Sequence, residues 1–147
     1  MIKLSHKILL WIALTVTVPL SSRAVDKTDE IVRDRANAFN KFLLDAKYDE
    51  AVKFVDPDVV AAAGEKAVKE QFKQLMGFAK GVTALTGRKI TDFKVKKIDL
   101  NKEKTEATLS VVFYTSSASP GGGGRQPGEP SDQKWVLKNK VWYFKPE

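Results

Sequence analysis

Chemistry in a protein needs side chains that move protons, attack electrophiles or hold metals, and this chain supplies few of them. It has no cysteine, and its one histidine is His6. His6 lies in a segment that reads as a secretory leader. Lys3 and Lys7 give a positive start, and Ile8 to Leu20 is an apolar run. Ser22-Arg23-Ala24 then places small residues three back from, and directly before, a cut after Ala24. The run is thirteen residues, whereas a hydrocarbon core needs about twenty, so cleavage is expected rather than an uncleaved anchor. The mature protein, Val25 to Glu147, then has neither thiol nor imidazole. That excludes Cys/His zinc sites, thiol catalysis and every triad built on an imidazole. Carboxylates, tyrosines, lysines and backbone groups remain.

Among the acids, Asp92, Asp99 and Glu106 fall on predicted strands. A carboxylate held in an apolar pocket would have a raised pKa and could shuttle protons, but strand alternation turns Asp92 and Glu106 away from the apolar face. Asp56 and Asp58 flank Pro57, where turn and capping roles account for both. Phe93, Phe113, Trp135, Trp142 and Phe144 share one sheet face by parity. They read either as an ordinary core or as an aromatic-lined pocket for a small apolar or planar ligand. Phe113, Trp135 and Trp142 are the ligand-pocket candidates, and each indole N–H of the two tryptophans needs a partner. No catalytic residue, metal ligand or cofactor-binding motif is assigned. Gly121 to Gly124 lack the strand–loop–helix setting and placed lysine of a phosphate cradle, and read as a hairpin loop.

Lys94, Lys96, Lys134 and Lys138 share the opposite sheet face with Val112, Tyr114, Val136 and Tyr143. That face reads as a solvated surface with snorkelling lysines, as a surface for an anionic partner, or as a homodimer contact through the four apolar and aromatic residues. Nucleic acid is not the expected partner. Removing Lys3, Lys7 and Arg23 leaves 22 of the 25 basic residues against 18 acids, a net charge of +4 with the signs interspersed.

The elements that must position these residues follow from periodicity. Asp26 or Thr28 can cap a helix running to about Ala46, with Val32, Ala36, Phe39, Leu43 and Ala46 as its buried stripe. Asp49 can cap a second, short helix through Phe54, which Asp56-Pro57-Asp58 ends. Val59 to Ala63 is a strand or a helical turn, the β-branched pair favouring the strand. From Gly64 a third helix places Val68, Phe72, Leu75, Met76 and Ala79 on one face, with Gly81 closing it. After Gly87 the pattern alternates. Phe93 and Val95 have the opposite parity to Ile98 and Leu100, which requires a bulge near Lys96-Lys97. Leu109, Val111 and Phe113 face inward on the next strand. Ser116 to Asp132 reads as a loop. A closing hairpin around Asn139-Lys140 sets Leu137 opposite Trp142, Trp135 opposite Phe144, and Val136 beside Tyr143.

Residues 25–147 thus form one α+β domain. Its N-terminal helices pack on a curved four-stranded antiparallel sheet, with room for a fifth or sixth strand. This order resembles the nuclear transport factor 2-like superfamily, in its exported or polyketide-cyclase-like branch. The resemblance is carried by Ala38-Phe39 and Phe42, by Lys47-Tyr48-Asp49-Glu50-Ala51, by Asp56-Pro57-Asp58, by Gly64 to Val68, and by Val95 to Leu109. It implies a cone-shaped roll with a cavity open at one end. It also implies a choice of functions: a non-catalytic small-ligand-binding or protein-interaction module, an isomerase- or cyclase-type enzyme using a cavity carboxylate or Tyr, or an accessory domain for envelope assembly. The expected location is secreted or periplasmic, with no stable membrane span once the leader is cut. Intact-mass measurement of the exported protein should give a chain beginning at Val25; retention of Met1 in that fraction would refute the cleavage.

Overall fold

The computed structural model describes residues 27–147; the leader and its cleavage point lie outside the described residues. The helices are α1 (Lys27–Leu44), α2 (Tyr48–Ala51), which runs on into a single tighter turn at Val52–Phe54, α3 (Pro57–Ala63) and α4 (Glu65–Leu85). The strands are β1 (Arg88–Leu100), β2 (Glu106–Ser117), β3 (Gln126–Lys138) and β4 (Val141–Lys145). They form one antiparallel sheet in the order β1-β2-β3-β4. No helix among the described residues is long and apolar enough to cross a membrane.

α1 lies against one face of the sheet and buries Val32, Ala36, Phe39, Asn40 and Leu43. It stops at Leu44 rather than Ala46. Ala46 takes a left-handed conformation (φ 56°), and the Lys47 and Ala46 amides turn back to the Phe42 and Leu43 carbonyls at 2.8 and 3.2 Å. These are the two reversed bonds of a Schellman stop, and they leave Ala46 exposed. Asp49 caps nothing: it sits inside α2 and pairs with Lys69.

Val59 to Ala63 are helical. Asp56 accepts from the Asp58 amide at 3.0 Å and Pro57 occupies the first turn of α3, so an N-cap followed by Pro and three alanines outweighs the strand preference of two valines. The extra strand reduces to one parallel bridge, Val55 to Phe144. α4 runs through Gly81 to Leu85 and closes at Gly87 (φ 67°). A helix-interior glycine costs about 1 kcal/mol against alanine, too little to end a helix. Leu75 is exposed rather than part of the buried line Val68, Phe72, Met76.

In the sheet, the ladder slips between Val95 and Lys97, which restores Ile98 and Leu100 to the core side, and slips again between Ile90 and Asp92. Arg33 of α1 reaches the interrupted strand and donates to the Val95 carbonyl at 2.8 Å. At the other sheet edge Arg35 donates to the Trp142 carbonyl at 3.1 Å. One helix therefore ties both edges of the roll.

The segment expected to be a loop is half strand. β3 begins at Gln126 and pairs with β2 through Pro127 and Pro130. β4 covers only Lys134 to Lys138 of β3, so the earlier part of β3 has one neighbour and the missing proline N–H groups cost no second ladder. The closing hairpin matches its expected register, Leu137 to Trp142 and Trp135 to Phe144. Asn139 and Lys140 both have positive φ, at 50° and 65°, as a two-residue hairpin turn requires.

Lys138 of β3 bridges Asp56 at 2.6 Å and Asp58, fastening α3 to the hairpin. Burial pushes the Asp56 carboxyl up, but hydrogen bonds from Lys138 and the Asp58 amide, with the Lys145 charge nearby, hold it below the usual carboxylate range. Its contribution is therefore complete above the unfolded value of about 3.9 and is lost as pH falls through the lower folded value. Asp56→Asn should cost about 2 kcal/mol at neutral pH and flatten the acid limb of a denaturation series run from pH 7 to 3. An unchanged acid slope would remove the carboxylate from the argument.

Candidate functional site

The inward aromatic residues divide into a packed centre and an open end. Phe39 is the centre: it stacks on Phe144 at 4.7 Å and meets Phe72, Trp135 and Phe54 at 5.5, 5.7 and 6.3 Å. Toward the far end of the sheet α4 carries only Ala79 where a larger side chain would fill the gap. A cavity of about 340 Å³ remains between α1, α4 and the strands. Phe39, Leu43, Phe72, Leu75, Met76, Ala79, Ile90, Phe113 and Phe144 form its apolar walls.

Its polar groups all come from one stretch of β3, Ser131, Asp132 and Gln133. Gln133 is nearly buried and Asn40 of α1 fully so. Their amides close on each other: Gln133 Nε2 donates to Asn40 Oδ1 at 2.7 Å, and Asn40 Nδ2 donates to Gln133 Oε1 at 3.1 Å. The second Asn40 hydrogen goes to the Ala36 carbonyl at 2.8 Å, which fixes the orientation of both amides. Gln133, a lining residue of the cavity, keeps one N–H outside this pair.

Of the sequence candidates, Phe113 lines this cavity, with Phe93 6.2 Å from it. Trp135 and Trp142 are 0% and 2% exposed and lie outside its lining. The Trp135 indole N–H is buried without an acceptor. On the opposite sheet face, Val136 and Tyr143 are cross-strand neighbours, whereas Val112 and Tyr114 lie further along β2, beyond Thr108 and Ser110. The four are thus two pairs and not one strip.

Tyr114 sits in a cationic cluster. The Arg125 guanidinium lies 3.6 Å from its ring centre and also pairs with Asp92. A hydrogen bond from Lys96 holds the Tyr114 phenol below its ordinary pKa, helped by the charges of Arg125 and Lys94. Lys134 pairs with Glu147 and Lys138 with α3, so neither is a free cation on that face.

The buried amide pair was missed from the sequence, although a signal existed. Asn40 follows Phe39 inside the α1 stripe, and Gln133 precedes Trp135 by two on the inward side of β3. A lone polar residue at a core position on each of two elements predicts that they meet.

No family model and no curated protein matches the sequence. Among solved structures, a Campylobacter jejuni protein named as a nuclear transport factor 2-like transpeptidase superposes with a TM-score of 0.55. The identity is 17%, and the match covers 78% of this chain and 96% of that one. Two SEC-C motif containing proteins align at TM-scores too low to carry an argument. The Rhodopseudomonas palustris protein gives 0.45 at 13% identity, covering 80% of this chain and 74% of its own. The Psychrobacter arcticus protein gives 0.47 at 19%, covering 82% and 59%. The fold is the nuclear transport factor 2-like roll.

Asn40→Leu should strand the Gln133 amide and cost about 1–3 kcal/mol. The double variant Asn40→Leu/Gln133→Met should cost less than the sum of the two single changes, since neither amide is then left unpaired. Urea unfolding of the four proteins measures this; strict additivity would mean the amides are not coupled.

Proposed function

We propose that this domain binds a small molecule with an apolar body and one neutral hydrogen-bond acceptor, held in the cavity between α1, α4 and the sheet. The observation that carries this is the cavity itself: about 340 Å³, walled by apolar side chains, with its polar groups confined to β3. That size falls at the lower end of the roughly 300–1,000 Å³ of small-molecule sites, and apolar walls with a few placed polar groups are their usual make-up. The free N–H of Gln133 suits a ketone, ester or amide oxygen. Asp132 at the exposed rim disfavours a carboxylate.

Catalysis of the isomerase or cyclase kind needs a group that moves a proton at the ligand. Asp132 is the one titratable lining residue, and it is exposed. The transpeptidase name of the Campylobacter protein does not transfer on 17% identity, and the described residues hold no Cys or His to serve as thiol or imidazole. On the leader read from residues 1–24, the binding takes place outside the cytoplasm.

The test is titration with a neutral naphthyl ketone dye whose emission moves to the blue when its carbonyl leaves water. Saturable blue-shifted emission is expected from the wild type. Ala79→Trp, which fills the cavity, should abolish it, and Gln133→Leu should weaken it about tenfold, with circular dichroism confirming the fold of each. Absence of saturable binding, or equal binding by Ala79→Trp, would overturn the proposal.

A further inference from the structure

Four of the five exposed large hydrophobic side chains among the described residues lie on one helix. Leu75, Phe78, Val82 and Leu85 of α4 are 60%, 72%, 47% and 89% exposed. Their spacing of three, four and three residues aligns them on a single face, distinct from the buried line Val68, Phe72, Met76 that faces the sheet. We propose that this seam is the contact between two copies of the chain, with the two α4 helices antiparallel about a two-fold axis level with Lys80.

The spacing itself points to a second copy. A two-fold contact must present the same patch from both sides, and this pattern reads the same from either end. Antiparallel pairing sets Leu75 opposite Leu85 of the partner subunit and Phe78 opposite Val82 of the partner subunit.

Charge supports the same occupant. From Gln74 to Leu85 the one charged residue is Lys80, and it is turned back to the Leu44 carbonyl at 3.2 Å. Of the other lysines of α4, Lys69 pairs with Asp49 and Glu65 and Lys73 with Glu70, while Lys66 lies in the first turn, nine residues before Leu75. The seam can be buried without desolvating a charge. It also lacks the flanking cations with which an interfacial helix meets lipid.

Gly81 adds an independent sign. A side chain there would meet nothing within 4 Å, so nothing in the monomer requires a glycine that weakens the helix. It lies three residues from Phe78 and four from Leu85, a notch on the flank of the seam into which a facing side chain can pack. One helix face is small against the roughly 800 Å² per partner of a standard interface, so the dimer is weak. The seam shares Leu75 with the cavity wall, but Phe78, Val82 and Leu85 lie outside the cavity lining, so the Phe78 variant tests the contact apart from the ligand reading.

Sedimentation velocity of the purified protein from about 1 to 500 μM should show monomer passing to dimer. Phe78→Glu should stay monomeric throughout with an unchanged unfolding midpoint at low concentration, since the side chain is exposed. The absence of native cysteine allows a check of orientation. Mixed Leu75→Cys and Leu85→Cys proteins should form the hetero-disulfide under mild oxidation. Leu75→Cys alone should not self-link, its two copies being roughly 15 Å apart along the axis. A monomer at every concentration would overturn the proposal, as would dimerisation of Phe78→Glu or self-linking of Leu75→Cys. Phosphatidylcholine vesicles run in parallel would show whether a monomeric protein gives this face to lipid instead.

Discussion

The ring of Phe39 is where every layer of this domain meets. It touches α4 through Phe72, the turn after α2 through Phe54, and the closing hairpin through Trp135 and Phe144. Edge-on and offset contacts of this kind add to the burial of large apolar area. With Phe39 fixed, α1 has one way to lie in the sheet, and Arg33 and Arg35 fall opposite carbonyls of β1 and β4. The cavity is what remains beyond this centre, where α4 offers alanine rather than another ring. Site and core are one aromatic assembly, filled at one end and left open at the other.

What could be read from the sequence was whatever local periodicity determines. The parity switch between Val95 and Ile98 demanded an extra residue, and the ladder slips there. Asn139-Lys140 between two alternating runs fixed the hairpin register. Where two local rules competed, periodicity could not rank them. The valines of α3 argued against its Asp56 N-cap and the Pro57 that follows it, and the prolines of β3 argued for a loop. That second conflict is decided by the length of β4, a property of another element. Tertiary geometry also separated the site candidates: Phe113, Trp135 and Trp142 share a face by parity, but distance from Phe39 decides which meets the cavity.

Two polar arrangements in the structure differ in what they can contribute. The Asn40–Gln133 pair is shielded from water, so its loss exposes an unpaired group and its geometry is specific. The Arg125–Tyr114–Lys96 cluster is exposed, where ion pairs contribute little to stability, and it acts instead on the ionisation of one phenol. Bulges at Thr91 and Lys96, together with lysines along β1, also make this edge of the sheet a poor template for a stray strand.

The span of chain that Phe39 closes has a consequence for how the protein is made. Its partners run from Phe54 to Phe144, and Arg35 bonds the Trp142 carbonyl 107 residues away. The hairpins between neighbouring strands are local and can form early, but loop closure over most of the chain must precede the central contacts. A nascent chain lacking only its last strand has no stacked partner for Phe39 and no acceptor for Arg35. The domain therefore completes its folding only after β4 has been synthesised, and until then its central ring packs against only part of its final surroundings.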